Sequence, residues 1–285
     1  MERTLSQNEA KVVLSLEWRG QRTVTLAELR TELAASEGYA RYVAHRLVKK
    51  GWLERLRPGL FQLVPADRGR EGVGDTHPLT VGAILVEPYF FSYGTACTIH
   101  GLTEQVFAEV YVACTTLRKP EMIRGNRYVF VRVREARFFG YEKTTVLGEP
   151  VQMATRERAL LDAIDRPRYA GGIGEVSRIV GRAGPDLAWE RLLEFAGRWG
   201  ESAIVQRLGY FLDLHDVESP REVRKALLKL VRPTSKVHLG PRRRWGTTGT
   251  LARPWNVIIN VPEEVLAEQR ERRRRVRFRT ESGKG

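Results

Sequence analysis

The first 64 residues contain three stretches in which apolar side chains recur every three or four positions, followed by a stretch in which apolar and charged residues alternate. The first two stretches predict helices that begin after Ser6 and Thr25, because each of these N-cap residues is followed three positions later by a glutamate. Residues 22–25 lie between these two helices and are rich in β-formers, so they predict a short strand.

A third helix is predicted to begin after Ser36 and to end at Gly51. Its predicted buried face consists of Ala40, Val43, Ala44 and Leu47. Residues 52–56 then alternate in the manner of a strand, residues 57–59 read Arg-Pro-Gly and predict a tight turn, and residues 60–64 predict the returning strand. Three helices followed by a hairpin are the order of a winged helix-turn-helix, the hairpin being the wing.

The rest of the chain alternates helical and strand-like patterns. The predicted helices are 79–87, 92–100, 155–165, 173–181, 186–199 and 202–214, and the predicted strands are 110–115, 128–133, 143–151, 237–239 and 255–261. We therefore predict an α+β fold, with a winged helix-turn-helix at 1–66, a Gly-rich linker at 67–76, and a larger mixed α/β domain at 77–262. Residues 263–285 are predicted to be a basic helix that runs into a tail.

The positive charge lies at the two ends of the chain. The formal net charge is +14: residues 1–70 carry 13 Lys and Arg against 8 Asp and Glu, residues 71–231 carry 21 against 21, and residues 232–285 carry 14 against 5. Such ends indicate a polyanionic partner, and nucleic acid is the commonest one. An anionic membrane is less favoured, because no long apolar run or lipidation signal accompanies the charge.

The cysteines and the N-terminus limit the function further. Cys97 and Cys114 both lie among apolar residues, and His100 near Cys97 makes no recognised ligand spacing, so two buried reduced thiols are expected, with no metal and no cofactor. The first residues have no apolar signal core, which predicts a cytoplasmic protein.

The face of the third helix opposite its buried face is the predicted DNA-reading surface. Arg41 and Tyr42 lie early in the helix, where such motifs touch bases, and an arginine can donate two hydrogen bonds to a guanine. Arg46 and Lys50 are expected to contact phosphates. The full predicted set is Ser36, Tyr39, Arg41, Tyr42, His45, Arg46, Lys49 and Lys50 on the helix, with Arg55 and Arg57 beside the turn of the wing. The alternative is a charged face that is merely solvated.

Two further basic segments each have two possible interpretations. Residues 242–245 read Arg-Arg-Arg-Trp, which suits a stacked single strand of nucleic acid or a simple turn. Residues 269–280 are dense in arginine and either hold nucleic acid non-specifically or form a solubilising end.

Two segments of the larger domain resemble the AbiEi family of antitoxins. They are HPLTVGAILVEPYFFSYGTACTIHGLTEQVFAEVYVACTTLRK at 77–119 and VQMATRERALLDAID at 151–165, and the resemblance covers most of residues 5–215. It departs from the family at Cys97, where a larger apolar residue is usual, and after about residue 240.

This resemblance implies a phage-defence operon pair in bacteria. The chain would be an antitoxin and transcriptional repressor that binds inverted repeats of double-stranded DNA at its own promoter. It would oppose a toxin resembling a nucleotidyltransferase, without requiring a stable complex. The larger domain would carry the antitoxin activity.

The larger domain holds two sets of candidate polar residues. Arg158 and Asp162 lie one helical turn apart and are expected to pair, with a structural role favoured over a functional surface. Tyr93, His100 and Glu104 are expected near one strand edge, where a base and an acid can indicate catalysis, although a turn network is favoured. No catalytic residues are therefore predicted, and the chain is not expected to be an enzyme.

Two other functions compete with the antitoxin. A DNA-directed metal nuclease needs clustered carboxylates, and the sequence shows no convincing Asp…Glu-x-Lys arrangement. A regulator whose larger domain binds a small effector is the third possibility.

Overall fold

A computed structural model of the chain describes residues 4–65, 77–146 and 149–266. The predicted linker at 67–76, and the part of the predicted basic tail beyond residue 266, lie outside the described residues. We refer to residues 4–65 as the N-terminal region and to residues 77–266 as the second region.

The N-terminal region has the predicted order of helices and strands. Its elements are α1 (Gln7–Trp18), β1 (Thr23–Thr25), α2 (Leu26–Leu33), α3 (Glu37–Lys49), β2 (Leu53–Arg57) and β3 (Leu60–Leu63). The three strands form an antiparallel sheet in the order β1-β3-β2. Strands β2 and β3 with their short turn form the wing, and Gly59 in that turn has a φ of +77°, a conformation that glycine adopts at little cost.

Capping and burial of apolar side chains explain why these helices form where they do. Glu9 Oε2 accepts a hydrogen bond from the Ser6 amide at 2.7 Å, and Glu28 Oε2 accepts one from the Thr25 amide at 2.7 Å. The apolar faces then meet in one core made of Val12, Val13, Leu16, Val24, Leu29, Ala40, Val43, Ala44, Leu47, Leu53, Phe61 and Leu63. Both predicted N-terminal capping glutamates are thus confirmed.

The second region is built on a six-stranded mixed sheet in the order β6-β7-β5-β4-β9-β8. Its strands are β4 (Tyr89–Phe91), β5 (Glu109–Cys114), β6 (Glu121–Ile123), β7 (Asn126–Arg132), β8 (Tyr141–Val146) and β9 (Glu149–Ala154). Strands β5 and β7 are neighbours, as predicted for 110–115 and 128–133, and the structure shows that they are parallel. Cys97 and Cys114 are buried free thiols, and burial raises the pKa of both.

Helices and a small second sheet complete this region. The helices are α4 (Pro78–Ala83), α5 (Tyr93–Ile99), α6 (Arg156–Asp165), α7 (Ile173–Ala183), α8 (Trp189–Trp199), α9 (Ser202–Leu214), α10 (Arg221–Leu230) and α11 (Arg242–Trp245). Strands β10 (Val237–His238), β12 (Val257–Ile259) and β11 (Thr250–Ala252) form the small sheet in that order.

Three predictions about this region were wrong in detail. The helix expected at 79–87 spans only Pro78–Ala83, and β4 begins at Tyr89. The single strand expected at 143–151 is a pair of antiparallel strands, β8 and β9. Residues 242–245 form a short helix rather than a turn. Four elements of this region were not predicted from the sequence: β4, β6, β11 and α10.

The back of the wing packs against the second region. Arg124, between β6 and β7, donates from Nη1 to Gln62 Oε1 at 2.5 Å and from Nη2 to Glu54 Oε2 at 2.8 Å. Leu60 of β3 belongs to the large core of the second region. These contacts involve the sheet of the N-terminal region and leave the outer face of α3 uncovered.

Candidate nucleic-acid interface

Helix α3 has one buried face and one exposed face. Ala40, Val43, Ala44 and Leu47 are at most 3% exposed. Seven residues of the opposite face are exposed to solvent, and we call them the α3 stripe: Ser36, Tyr39, Arg41, Tyr42, His45, Arg46 and Lys49. The spacing of the apolar residues therefore predicted correctly which side of this helix is available to a partner.

Neighbouring contacts order the two tyrosines of the α3 stripe. The Tyr39 hydroxyl accepts a hydrogen bond from Asn8 Nδ2 at 2.9 Å, and the rings of Tyr39 and Tyr42 have centroids 6.1 Å apart. The Arg46 guanidinium lies 6.0 Å from the centroid of the Tyr42 ring. Tyr42 is still 55% exposed, so it remains free to contact a base or a sugar.

The cations of the α3 stripe differ in how firmly they are held. Arg41 Nη2 pairs with Glu37 Oε1 at 2.6 Å, and the two side chains are 70% and 59% exposed. An exposed ion pair of this kind contributes less than about 1 kcal/mol to stability, so Arg41 can exchange Glu37 for another acceptor. No ion pair involves His45, Lys49 or Arg55 within the described part of the chain.

Lys50, which was expected to contact a phosphate, forms an ion pair inside the N-terminal region. Its Nζ lies 2.5 Å from Oε2 of the buried Glu9, and Arg46 Nε lies 3.3 Å from Oε1 of the same carboxylate. Burial by itself would raise the pKa of Glu9, but hydrogen bonds from Lys50, Ser6 and Arg46 outweigh it and lower the pKa to about 2. Lys50 and Arg46 thus both pair with Glu9, and Arg46 is the more exposed of the two.

A cleft of about 820 Å³ runs between α3 and the wing. Its lining residues are Leu26, Gly38, Arg41, Tyr42, His45, Val48, Arg55, Pro58, Gly59 and Phe61. Arg55 is exposed at this cleft, whereas Arg57 Nε lies 3.7 Å from Glu121 Oε2 of the second region. Of the two wing arginines, the structure therefore leaves Arg55 free and holds Arg57 against β6.

The candidate pair of the second region is buried. Arg158 Nε and Nη2 donate to the two carboxylate oxygens of Asp162 at 2.8 and 3.0 Å, and both side chains are at most 1% exposed. Ser92 Oγ also donates to Asp162, at 2.5 Å, and Arg158 Nη1 donates to the carbonyl oxygens of Arg137 and Phe139 at 2.6 and 2.9 Å. This network joins α6 to the segment after β7 and favours the structural role.

The other three candidates of this region each engage a different neighbour. Tyr93 is fully buried and its ring centroid lies 5.4 Å from that of Tyr169. His100 Nε2 lies 2.7 Å from the carbonyl oxygen of Ala154, and Glu104 pairs with Arg182 at 2.9 Å. The described residues show no contact among Tyr93, His100 and Glu104, so the expectation that they converge has no support.

Two residues of these networks had not been identified as site residues. Glu9 was expected only to cap α1, because nothing in the sequence relates it to a helix 37 residues further on. Ser92 was expected only to cap α5, although its hydroxyl lies on Asp162. Both contacts depend on the packing of distant segments.

The first comparison with known proteins concerns the N-terminal region. Residues 12–64 match the family model described as "Transcriptional regulator, AbiEi antitoxin". The match runs from within α1 to the end of the wing, and it confirms the resemblance to AbiEi proteins drawn from the sequence. The two segments on which that resemblance was based, 77–119 and 151–165, lie outside the matched residues.

The second comparison concerns the whole fold. The crystal structure of RV2827C protein from Mycobacterium tuberculosis is similar with a TM-score of 0.60, covering 90% of this chain and 92% of that chain at 14% sequence identity. At this identity the likeness shows the fold alone, and it agrees with the predicted α+β class. A search of curated protein sequences gives no significant match.

Two absences within the described residues concern membranes and metals. None of the described helices is long and apolar enough to cross a membrane. No group of three or more His, Cys, Asp or Glu side chains is arranged to hold a metal ion in the described ranges.

Proposed function

We propose that this protein is a DNA-binding antitoxin that represses transcription of its own toxin–antitoxin operon. The observation that carries this proposal is the α3 stripe, an exposed row of cationic and aromatic residues on a helix whose other face is core. A major groove admits one α-helix and presents hydrogen-bond acceptors to it. The family match of residues 12–64 to antitoxin regulators supports the same function.

The proposed contacts follow from how each side chain is held. Arg41 and Tyr42 read base edges near the start of α3, with Arg41 leaving Glu37 at a cost below about 1 kcal/mol. His45, Lys49 and Arg55 contact the phosphate backbone, since they have no competing ion pair among the described residues. Ser36 and Tyr39 flank the base-reading pair, and Arg46 keeps a secondary role because Glu9 holds it.

The second region is proposed to supply the antitoxin activity. In this proposal the domain boundaries are 1–66, 67–76, 77–262 and 263–285, and the protein acts in the cytoplasm. Its operator is an inverted repeat at its own promoter, and its opponent is a nucleotidyltransferase-like toxin that it need not bind stably. Arg124 of the second region donates hydrogen bonds to Gln62 and Glu54 of the wing, so the two proposed domains contact each other there.

Fluorescence anisotropy with two DNA duplexes tests the base-reading assignment. One duplex carries the inverted repeat of the native promoter, and the other has a random sequence of equal length. Arg41→Ala and Tyr42→Ala should weaken binding to the promoter repeat about 10-fold or more, and binding to random DNA much less. Lys49→Ala should weaken both equally and reduce the salt slope by about 1.

The control is Lys225→Ala, which removes the same unit of charge from an exposed position on α10 and should leave both affinities unchanged. Equal loss on both duplexes for Arg41→Ala and Tyr42→Ala would refute base reading by α3. A full-length Arg41→Ala, Lys49→Ala double variant should fail to repress a promoter fusion. It should still rescue growth of cells that express the neighbouring toxin, since the two activities are assigned to different regions.

A further inference from the structure

The second region contains a cavity of about 560 Å³ that the proposed DNA-binding function does not use. It lies between the end of β7, helix α6 and the end of α8. We call it the arginine cavity, and its lining residues are Arg132, Val133, Arg134, Arg137, Arg158, Asp162, Asp165, Arg166, Trp199 and Glu201. Only Val133 and Trp199 in this lining are apolar, so a hydrophobic ligand does not suit the arginine cavity.

Three of its five arginines are already paired with its three acids. Arg158 binds Asp162, Arg166 Nε lies 3.4 Å from Asp165 Oδ2, and Arg137 pairs with Glu201. These pairs leave Arg132 and Arg134 in excess.

The two remaining arginines lie at the rim of the cavity. Arg132 and Arg134 are exposed, and neither has an ion pair within the described ranges of the chain. They follow one another at a spacing of two across the end of β7, with the buried Val133 between them. The cavity therefore has a net positive charge that is available to an incoming anion.

The floor of the cavity has donors that lack acceptors. The Trp199 side chain is 4% exposed, and its buried Nε1–H has no acceptor among the described residues. Its ring lies beneath the guanidinium groups of Arg137 and Arg158, whose central carbons are 5.2 and 4.6 Å from the ring centroid. A buried donor without an acceptor is unfavourable, so a ligand oxygen at this position would be stabilising.

Arg158 adds a second unused donor. A guanidinium has five N–H groups. Four of them are accounted for by the two oxygens of Asp162 and the carbonyls of Arg137 and Phe139. The fifth, on Nη2, has no acceptor in the described part of the molecule. The floor and the rim thus both offer hydrogen-bond donors, and this suits an acceptor-rich anion.

We propose that the arginine cavity binds a small molecule that carries phosphate groups. Arginine forks match phosphate oxygens in geometry and charge. The volume falls in the ordinary range for small-molecule sites, roughly 300–1,000 Å³, and suits a compound of nucleotide size rather than a bare phosphate. In this proposal Arg132 and Arg134 capture the phosphates, and Trp199 Nε1 donates to an oxygen at the floor.

Isothermal titration calorimetry of the full chain tests the site, with sodium pyrophosphate and then ATP as probes in the absence of magnesium. We expect ATP to bind and the Arg132→Gln, Arg134→Gln double variant to weaken it at least about 10-fold, the loss of one charge-assisted hydrogen bond being worth about that factor. Trp199→Phe should weaken it about 3-fold to 10-fold. Both rim arginines are exposed, so the double variant should unfold at the temperature of the unmodified chain.

The matched control is the Arg242→Gln, Arg243→Gln double variant, which removes two exposed arginines of α11 and should keep its affinity within about twofold. Equal loss in both double variants would mean general attraction to polyanions and would overturn the proposal. The proposal would also be overturned if neither pyrophosphate nor ATP bound at millimolar concentration. Displacement of ATP by a single-stranded oligonucleotide without terminal phosphates would overturn it as well, because that would assign the cavity to a nucleic-acid backbone.

Discussion

Helices α3 and α6 each carry an arginine and an acidic residue four positions apart, but the two pairs lie in opposite environments. Glu37 and Arg41 on α3 lie four positions apart, as do Arg158 and Asp162 on α6. The side chains of Glu37 and Arg41 are 59% and 70% exposed, and those of the second pair are at most 1% exposed. Spacing alone therefore identifies an ion pair, whereas burial decides whether the arginine is available to a partner or is part of the core.

A third pairing lies between these two extremes. The carboxylate of Glu9 is 3% exposed, but Lys50 and Arg46, which hold it, are 13% and 44% exposed. The acid is thus a core residue while its partners reach the surface next to the α3 stripe. Breaking a pair should therefore lower the free energy of unfolding most for the buried pair of α6, less for Glu9, and least for the exposed pair of α3.

The largest effect is expected from the fully buried pair. Arg158→Met should lower the free energy of unfolding by about 3–5 kcal/mol, because it leaves the Asp162 carboxylate buried without its cation. Asp162→Asn should also be destabilising, since Arg158 would lose its counter-ion. Urea unfolding followed by circular dichroism measures both changes.

A double variant separates the loss of the pair from the burial of a lone charge. Arg158→Met with Asp162→Leu replaces both partners by apolar side chains, which is often close to neutral in a buried site. The double variant should therefore be more stable than either single variant, although the carbonyl oxygens of Arg137 and Phe139 lose the hydrogen bonds that Arg158 donates. A double variant as unstable as the sum of its singles would show that the pair itself contributes little.

An intermediate effect is expected at Glu9. Glu9→Gln removes the negative charge with which Lys50 and Arg46 pair. It should lower the free energy of unfolding by about 2 kcal/mol, a typical value for a buried charge-assisted hydrogen bond. The same urea titration checks this value. Glu264→Gln, near the end of the described chain and exposed, is a control that should change stability by less than about 0.5 kcal/mol.

The pH dependence of the Glu9 effect has a defined sign. The folded state lowers the pKa of Glu9 from 4.5 to about 2, so its contribution to stability is complete above pH 4.5 and is lost as the pH falls toward 2. The difference in stability between the unmodified protein and Glu9→Gln should therefore be constant near neutrality and shrink between about pH 4.5 and pH 2.5. A difference that stays constant over that interval would exclude the low pKa.

The sequence predicted the N-terminal region better than the second region for a physical reason. Each N-terminal helix is amphipathic and capped, so local spacing placed its buried face, and the exposed α3 stripe follows directly. The pairing of Lys50 with Glu9 was not predicted, because Glu9 is distant along the chain. The arginine cavity was missed altogether, since it joins residues of β7, α6 and α8 that no local pattern connects.

The smallest effect is expected at the exposed pair, where Glu37→Gln releases Arg41. Stability should change by less than about 0.5 kcal/mol, as is usual for a solvated pair. Affinity for the promoter repeat should rise about twofold to threefold, because one negative charge near the phosphates is removed and Arg41 no longer has to leave a partner. Glu222→Gln frees Lys225 in the same way on α10, away from the α3 stripe, and should leave DNA binding unchanged. An equal gain from both variants would mean that net charge, rather than the release of Arg41, sets the affinity.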